Sequence, residues 1–197
     1  MVITRKPHGS MARGMPAGTV TVTGPDGREI RRETFDTDHG CEFTVAIPAA
    51  APRGTYAVRI VDDMRGIWHV GSGNGRVVLD CARSPTLANY HASRLFFRVP
   101  EGVRRFKLTI TGGHHGEFGM NVFDAGGQSR GFVRGFRGET LTPEAARPLE
   151  IEAPPGASGS VWSAVILAPM DFDLKMEGIP PYVSATADGW FLPETKP

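Results

Sequence analysis

Cysteine is almost missing from this chain. Only Cys41 and Cys81 occur in 197 residues. They form no CxxC pair and have no histidine at zinc-ligand spacing, which excludes a disulfide-dense scaffold and a zinc ribbon. One bridge between the halves of the chain and two free thiols both stay open. Net charge is missing too. Lysine and arginine total 22 against 21 acidic residues, leaving +1, so bulk charge does not hold this protein on nucleic acid. The local basic clusters, Arg28, Arg31 and Arg32, then Arg130, Arg134 and Arg137, read as solvated strand faces. No run approaches the ~20 apolar residues of a membrane helix, so no membrane insertion is expected. The start, Met1 to Lys6, lacks the apolar centre of a signal peptide. Residues 1–17 show no periodicity and read as a flexible leader or the cut edge of a longer parent.

Helical patterning is equally scarce. No window carries an apolar stripe at i, i+3, i+4 and i+7. The best candidate, Thr142 to Ala146, has room for one capped turn before Pro148. Catalytic motifs are absent as well: there is no GxSxG, HExxH or P-loop. His114-His115-x-Glu117 is the nearest approach to a metal or acid–base cluster. Adjacent strand residues point to opposite faces, so it reads as a polar hairpin tip. No catalytic residue is assigned.

What the chain does have is alternation punctuated by turns. Glycine numbers 25 and proline 16, spread between short apolar runs. Val20 and Val22 precede the turn Gly24-Pro25-Asp26-Gly27, and 28–35 follows as a polar strand. Phe43, Val45 and Ile47 alternate, then Tyr56, Val58 and Ile60. Residues 64–92, with Ile67 to Val70 and Val77 to Leu79, read as junction strands assignable to either side. A second set follows in Leu95, Phe97 and Val99, with Phe96 pointing the other way, and in Phe106, Leu108 and Ile110. Phe118, Met120 and Val122 alternate next, then Phe132 and Phe136 flanking a Gly-rich strand. Residues 160–168 and Phe172, Leu174 and Met176 complete the set. The class is all-β, with two β-sandwich modules.

Two resemblances sharpen this reading. Residues 18–62 carry G-T-V-T-V-T-G-P-D-G-R, D-x-D-x-G-C-E-F-T-V-A-I-P and P-R-G-T-Y-A-V-R-I-V-D. This resembles bacterial immunoglobulin-like and macroglobulin-type domains. Tyr56 is expected to bury its ring while its hydroxyl reaches backbone at the corner. Residues 93–178 carry L-F-F-R-V-P-E-G, F-K-L-T-I, N-V-F-D-A-G-G and G-S-V-W-S-A-V-I. They are similar to the pre-peptidase C-terminal-like jelly-roll modules beside catalytic domains in secreted hydrolases. The division expected is a leader at 1–17, an immunoglobulin-like module at 18–63 and a junction at 64–92. A jelly-roll-like module at 93–183 and a tail at 184–197 follow.

The resemblances imply a non-catalytic accessory module of a secreted bacterial protein, extracellular or at the cell surface as part of a longer parent. Its partners would be a carbohydrate or another protein domain. The alternative is a self-assembling structural protein of a surface layer, filament or capsid. Flat rings stack on sugars, so Trp68, Tyr90 and Trp190, in the less regular stretches, are the ligand-binding candidates, while Trp162 reads as core. Asp36-x-Asp38-x-Gly40 opens like a calcium loop but lacks the later ligands. Asp36 and Asp38 are therefore the metal candidates for a structural Ca²⁺, with Asp62-Asp63 and Asp171-x-Asp173 as acidic pairs of the same standing. No other cofactor is implied. A flat exposed apolar patch would point to protein contact instead.

Overall fold

The computed structural model describes residues 2–6, 18–35, 41–47, 50–62, 67–71, 73, 75–83, 86–88, 93–113, 116–138, 146–168 and 171–194. The chain divides into two compact units, Met1–Gly75 with Pro193–Pro197, and Arg76–Leu192. Among the described residues, strands and one short 3-10 turn make up the regular structure, as the alternation requires.

Unit 1 holds β1 (Val2–Lys6), β2 (Gly18–Thr23), β3 (Glu29–Phe35), β4 (Cys41–Thr44), β5 (Ala57–Val61) and β6 (Ile67–Gly71). They form two antiparallel sheets, β4-β1-β6 and β3-β2-β5. Ile3, Val20, Val22, Phe35 and Val45 fill the core. The Tyr56 hydroxyl donates to the Pro52 carbonyl at 2.7 Å, reaching backbone at the corner as expected, while its ring is only half-buried. Two boundaries move. Val2–Lys6, expected as leader, is the central strand of its sheet. Ile67–Gly71, expected in the junction, pairs with it along its whole length.

Buried charge explains why β1 escapes the alternation test. Arg5 sits in the core with its side chain 1% exposed, and Asp62 meets it at 4% exposed, Nε to Oδ2 2.7 Å. The guanidinium also lies over the Phe35 ring, 5.2 Å from its centroid. A neutralised arginine thus occupies an inward position that a hydrophobicity pattern reserves for an apolar residue.

Unit 2 begins with β7 (Leu79–Asp80), the 3-10 turn Cys81–Arg83 and β8 (Thr86–Ala88). It continues with β9 (Ser93–Val99), β10 (Arg105–Gly112), β11 (Gly116–Phe123) and β12 (Ser129–Arg137). β13 (Ala146–Glu152), β14 (Ser160–Leu167), β15 (Asp171–Glu177) and β16 (Tyr182–Val183) complete it. Eight of these strands make two four-stranded antiparallel sheets, β13-β10-β15-β8 and β12-β11-β14-β9. Numbered one to eight from β8, the sheets read 6-3-8-1 and 5-4-7-2. That is the jelly-roll order, in which the first strand pairs with the last and each inner strand with its mirror. β16 pairs with β7, so unit 2 draws in β7 and β8 from the expected junction, and an isolated bridge ties Ser184, the first residue of the expected tail, to Phe96. The candidate helix turn at 142–145 lies outside the described residues, and Ala146 opens β13.

The same turn chemistry opens both units' hairpins. Gly24-Pro25-Asp26-Gly27 and Asp124-Ala125-Gly126-Gly127 each close with the fourth residue's N–H on the first residue's carbonyl at 3.0 Å. Gly27 and Gly127 have φ of 81° and 79°, a region that costs side-chain-bearing residues dearly. Each turn is followed by a one-residue register shift in its hairpin, as in three-residue loops with a bulge.

The jelly-roll core is built from the alternating sets. Phe97, Phe106, Leu108, Ile110, Phe118, Met120, Trp162, Ile166 and Phe172 are among its buried side chains. Phe106 meets Trp162 edge-on, centroids 5.5 Å apart. On β9, Phe97 and Val99 are buried, while Phe96 on the opposite face is only half-buried. The second face of that strand is therefore less covered than its double apolar pattern implies.

Candidate functional site

Of the sugar candidates, Trp68 and Trp190 are tied up in packing. Trp190 is 8% exposed, and its indole N–H donates to the Tyr182 carbonyl at 2.9 Å. It closes unit 2 instead of presenting a ring to solvent. Trp68 is half-buried, sets its ring edge-on to Phe35 at 5.0 Å and donates its indole N–H to Asp62 at 2.9 Å. Tyr90, Asp36 and Asp38 lie outside the described residues, as do His114 and His115. Among the described residues, no three His, Cys, Asp or Glu side chains are grouped to hold a metal ion. No described helix is long and apolar enough to cross a membrane.

Cys81 carries a free thiol buried in the jelly-roll core. Burial first, and then the neighbouring Asp80 carboxylate, push it up to about 12. That is roughly three units above an ordinary thiol, so the thiolate needed for attack is about a thousandfold rarer at pH 8. Ellman's reagent is therefore expected to leave this thiol unmodified in the native protein and to titrate it only after denaturation. Rapid native modification, mapped to Cys81 by mass spectrometry, would contradict that placement.

One end of unit 2 has an open recess of ≈ 660 Å³ lined by Arg104, Arg105, Arg130, Glu152 and Pro154-Pro155. Its charges are largely paired. Arg105 binds Glu152 at 2.6 Å, and Arg130 binds Asp124 at 2.5 Å. Desolvation is the largest influence on Asp124 and acts upward. The Gln128 N–H, Arg130 and the Gly126 N–H together outweigh it and hold the carboxyl below the usual range. A carboxylate so depressed contributes stability that is present above its unfolded value and lost as pH falls through the folded one. Acid unfolding of the β11–β12 hairpin is thus expected to set in below about pH 4. An Asp124→Asn variant should lose that part of the acid sensitivity, read by denaturation midpoints at pH 3 and pH 7.

The feature that stands out is the outer face of the β12-β11-β14-β9 sheet. On β12 the usual pattern is inverted. The inward positions are Gly131, Val133 and Gly135, and the outward ones are Phe132, Arg134 and Phe136. A Cβ at Gly135 would lie 2.5 Å from Cζ of Phe118, and one at Gly131 would lie 3.1 Å from Cδ1 of Leu149. Core side chains from neighbouring strands already fill those places, so glycine is required inside and the large rings face out. Phe132 is 54% exposed and Phe136 64%, and Leu167 on β14 is 49%. The registers carry this across the sheet. Phe132, Asn121, Val165 and Arg94 share one cross-strand row, and Arg134, Gly119 and Leu167 share the next.

The charges on this face are partly placed. Arg134 is bonded to Glu117. Arg94 donates to the Ser163 hydroxyl at 3.0 Å and lies over the Phe123 ring, 5.1 Å from its centroid. Arg98, two residues along β9, is exposed. The sequence signal for this face is G-F-V-R-G-F-R, in which glycine and phenylalanine fall on opposite faces of one strand. In the sequence those phenylalanines mark a strand and carry no sign that they face solvent.

No family model matches this sequence, and no curated protein matches it. Among solved structures, a chain of the infectious bursal disease virus Gt strain structure aligns at 10% identity with a TM-score of 0.22. The match covers 92% of this chain and 57% of that one, and a likeness that slight carries neither fold nor function. The jelly-roll assignment rests on the strand order itself.

Proposed function

We propose that this chain is a non-catalytic accessory module that supports a partner by surface contact. The observation that carries the reading is the outer sheet face with Phe132, Phe136 and Leu167 exposed together. Aromatic residues and arginine on a flat face match the composition of protein interfaces. Scattered exposed apolar residues need no explanation, but several on one sheet face do. Phenylalanine has no polar group with which to read sugar hydroxyls, and Trp68 and Trp190 are occupied in packing. Protein contact is therefore favoured over carbohydrate binding. The setting implied by the pre-peptidase C-terminal-like resemblance is a secreted bacterial protein, beside a hydrolase domain.

A glycan array and a pull-down on insoluble polysaccharides test this with the wild type and a Phe132→Ser variant. Neither protein is expected to be retained. Retention of the wild type that Phe132→Ser abolishes would overturn protein contact in favour of sugar.

A further inference from the structure

We propose that the occupant of this outer face is a second copy of the same chain. The inference rests on the surface-contact reading above and adds the partner. Outward on β12 stand Phe132, Arg134 and Phe136, and outward on β9 stand Arg94, Phe96 and Arg98, so both edges alternate rings with guanidinium groups. The edges lie three strand spacings apart, about 14 Å.

Consider a two-fold axis between two such faces, parallel to the strands. It reverses the order of the strands and preserves position along them, within the ~30° that sheet twist imposes on stacked sheets. The β12 strand of each copy then lies over β9 of the other. Because Phe132 and Arg94 share a row, each Phe132 ring meets the other copy's Arg94 guanidinium, a cation–π contact made twice by symmetry. The face already uses this chemistry within one copy, Arg94 on Phe123. In the same way β11 lies over β14. Gly119 and Leu167 share a row, so the exposed Leu167 of each copy lies over the other's Gly119, where the Phe132 ring leans in from β12. The alternative axis, perpendicular to the strands, stacks β9 on β9 and β12 on β12. Only the axis parallel to the strands sets each Phe132 over the other copy's Arg94, and that complementarity selects it.

The size of the face sets the strength. Four strands and about eight residues give roughly 19 Å by 27 Å, or about 500 Å² per copy. The resulting ~1,000 Å² in total is just below the ~1,200 Å² at which specific, stable interfaces begin. The dimer is expected to be weak and driven by concentration.

Sedimentation velocity on the full chain tests this at ~5 μM and ~500 μM, a span suited to a weak interface. The wild type should sediment at its monomer mass of 21.3 kDa when dilute and approach twice that when concentrated. The Phe132→Ser/Phe136→Ser double variant should stay monomeric at both. Arg94→Gln should weaken the dimer by about fivefold or more, with an unchanged circular dichroism spectrum as the check on folding. A wild type that stays monomeric at the higher concentration overturns the second copy as occupant but leaves the contact reading standing. A dimer indifferent to all three substitutions overturns the proposed face. Retention on polysaccharide through Phe132 is the separate result that defeats the contact reading itself.

Discussion

Replacing Trp162 with alanine is expected to cost unit 2 about 4 kcal/mol, within the range of large aromatic truncations in cores. The side chain is 1% exposed in the middle of β14. Its ring packs edge-on to Phe106, which itself meets Phe97 at 6.0 Å, so one truncation removes the largest ring of a three-ring cluster centred on Phe106. The indole N–H also donates to the Ala157 carbonyl at 2.9 Å, holding the 153–159 connection against the strand that follows. A cavity and an undone loop anchor therefore act together. A fall in the thermal midpoint of more than about 15 °C is expected for a domain of this size. Hydrogen exchange should locate the loss in β10 and β14. A drop of only a few degrees would show that this ring is not at the centre of the core.

Removing the Asp62 carboxylate is the second large effect, and it falls on unit 1. Asp62→Ala removes the carboxylate that pairs with the buried Arg5 guanidinium and accepts from the Trp68 indole. Breaking one side of a buried pair costs roughly 3–5 kcal/mol, because a charge is left out of water and uncompensated. Replacing both partners with apolar residues removes the charge along with its neutraliser. An Arg5→Met/Asp62→Leu variant is therefore expected to be more stable than Asp62→Ala alone. Urea midpoints of the single and double variants decide this. If the single substitution costs under about 1 kcal/mol, the pair is solvated in solution and contributes as a surface bridge would.

The sequence made the jelly roll legible wherever one face was uniformly apolar. Phe106, Leu108 and Ile110, Phe118, Met120 and Val122, and Phe172, Leu174 and Met176 all lie inward as their alternation predicts. Two kinds of position hid from that test. The first is β1, where an inward arginine breaks the pattern, and its neutraliser lies 57 residues away. No local window joins the two. The second is β12, where the inward positions are glycines because Phe118 and Leu149 reach in from other strands. The apolar signal on β12 is real but belongs to the surface, and only the packing tells the two apart. Trp190 failed in the opposite sense. Its irregular stretch of sequence suggests exposure, yet the backbone carbonyl of Tyr182 gives its N–H a buried partner.

The mirror pairing of unit 2 also orders events in time. β11 and β12 are joined by a short turn and close a loop of only a few residues. β10 with β13 and β9 with β14 enclose successively more chain, and β8 meets β15 last, Thr86 opposite Asp173. Closure entropy rises with loop length, so the ribbon is cheapest to zip from its central hairpin outwards. Mean sequence separation is correspondingly large, which places this unit among slow-folding β architectures. As the chain leaves the ribosome, β8 and β9 wait almost the whole unit for their partners, with Phe96 and Phe97 uncovered meanwhile. β9 carries Arg94 and Arg98 beside those rings, charges that keep a waiting apolar strand from pairing with the wrong edge.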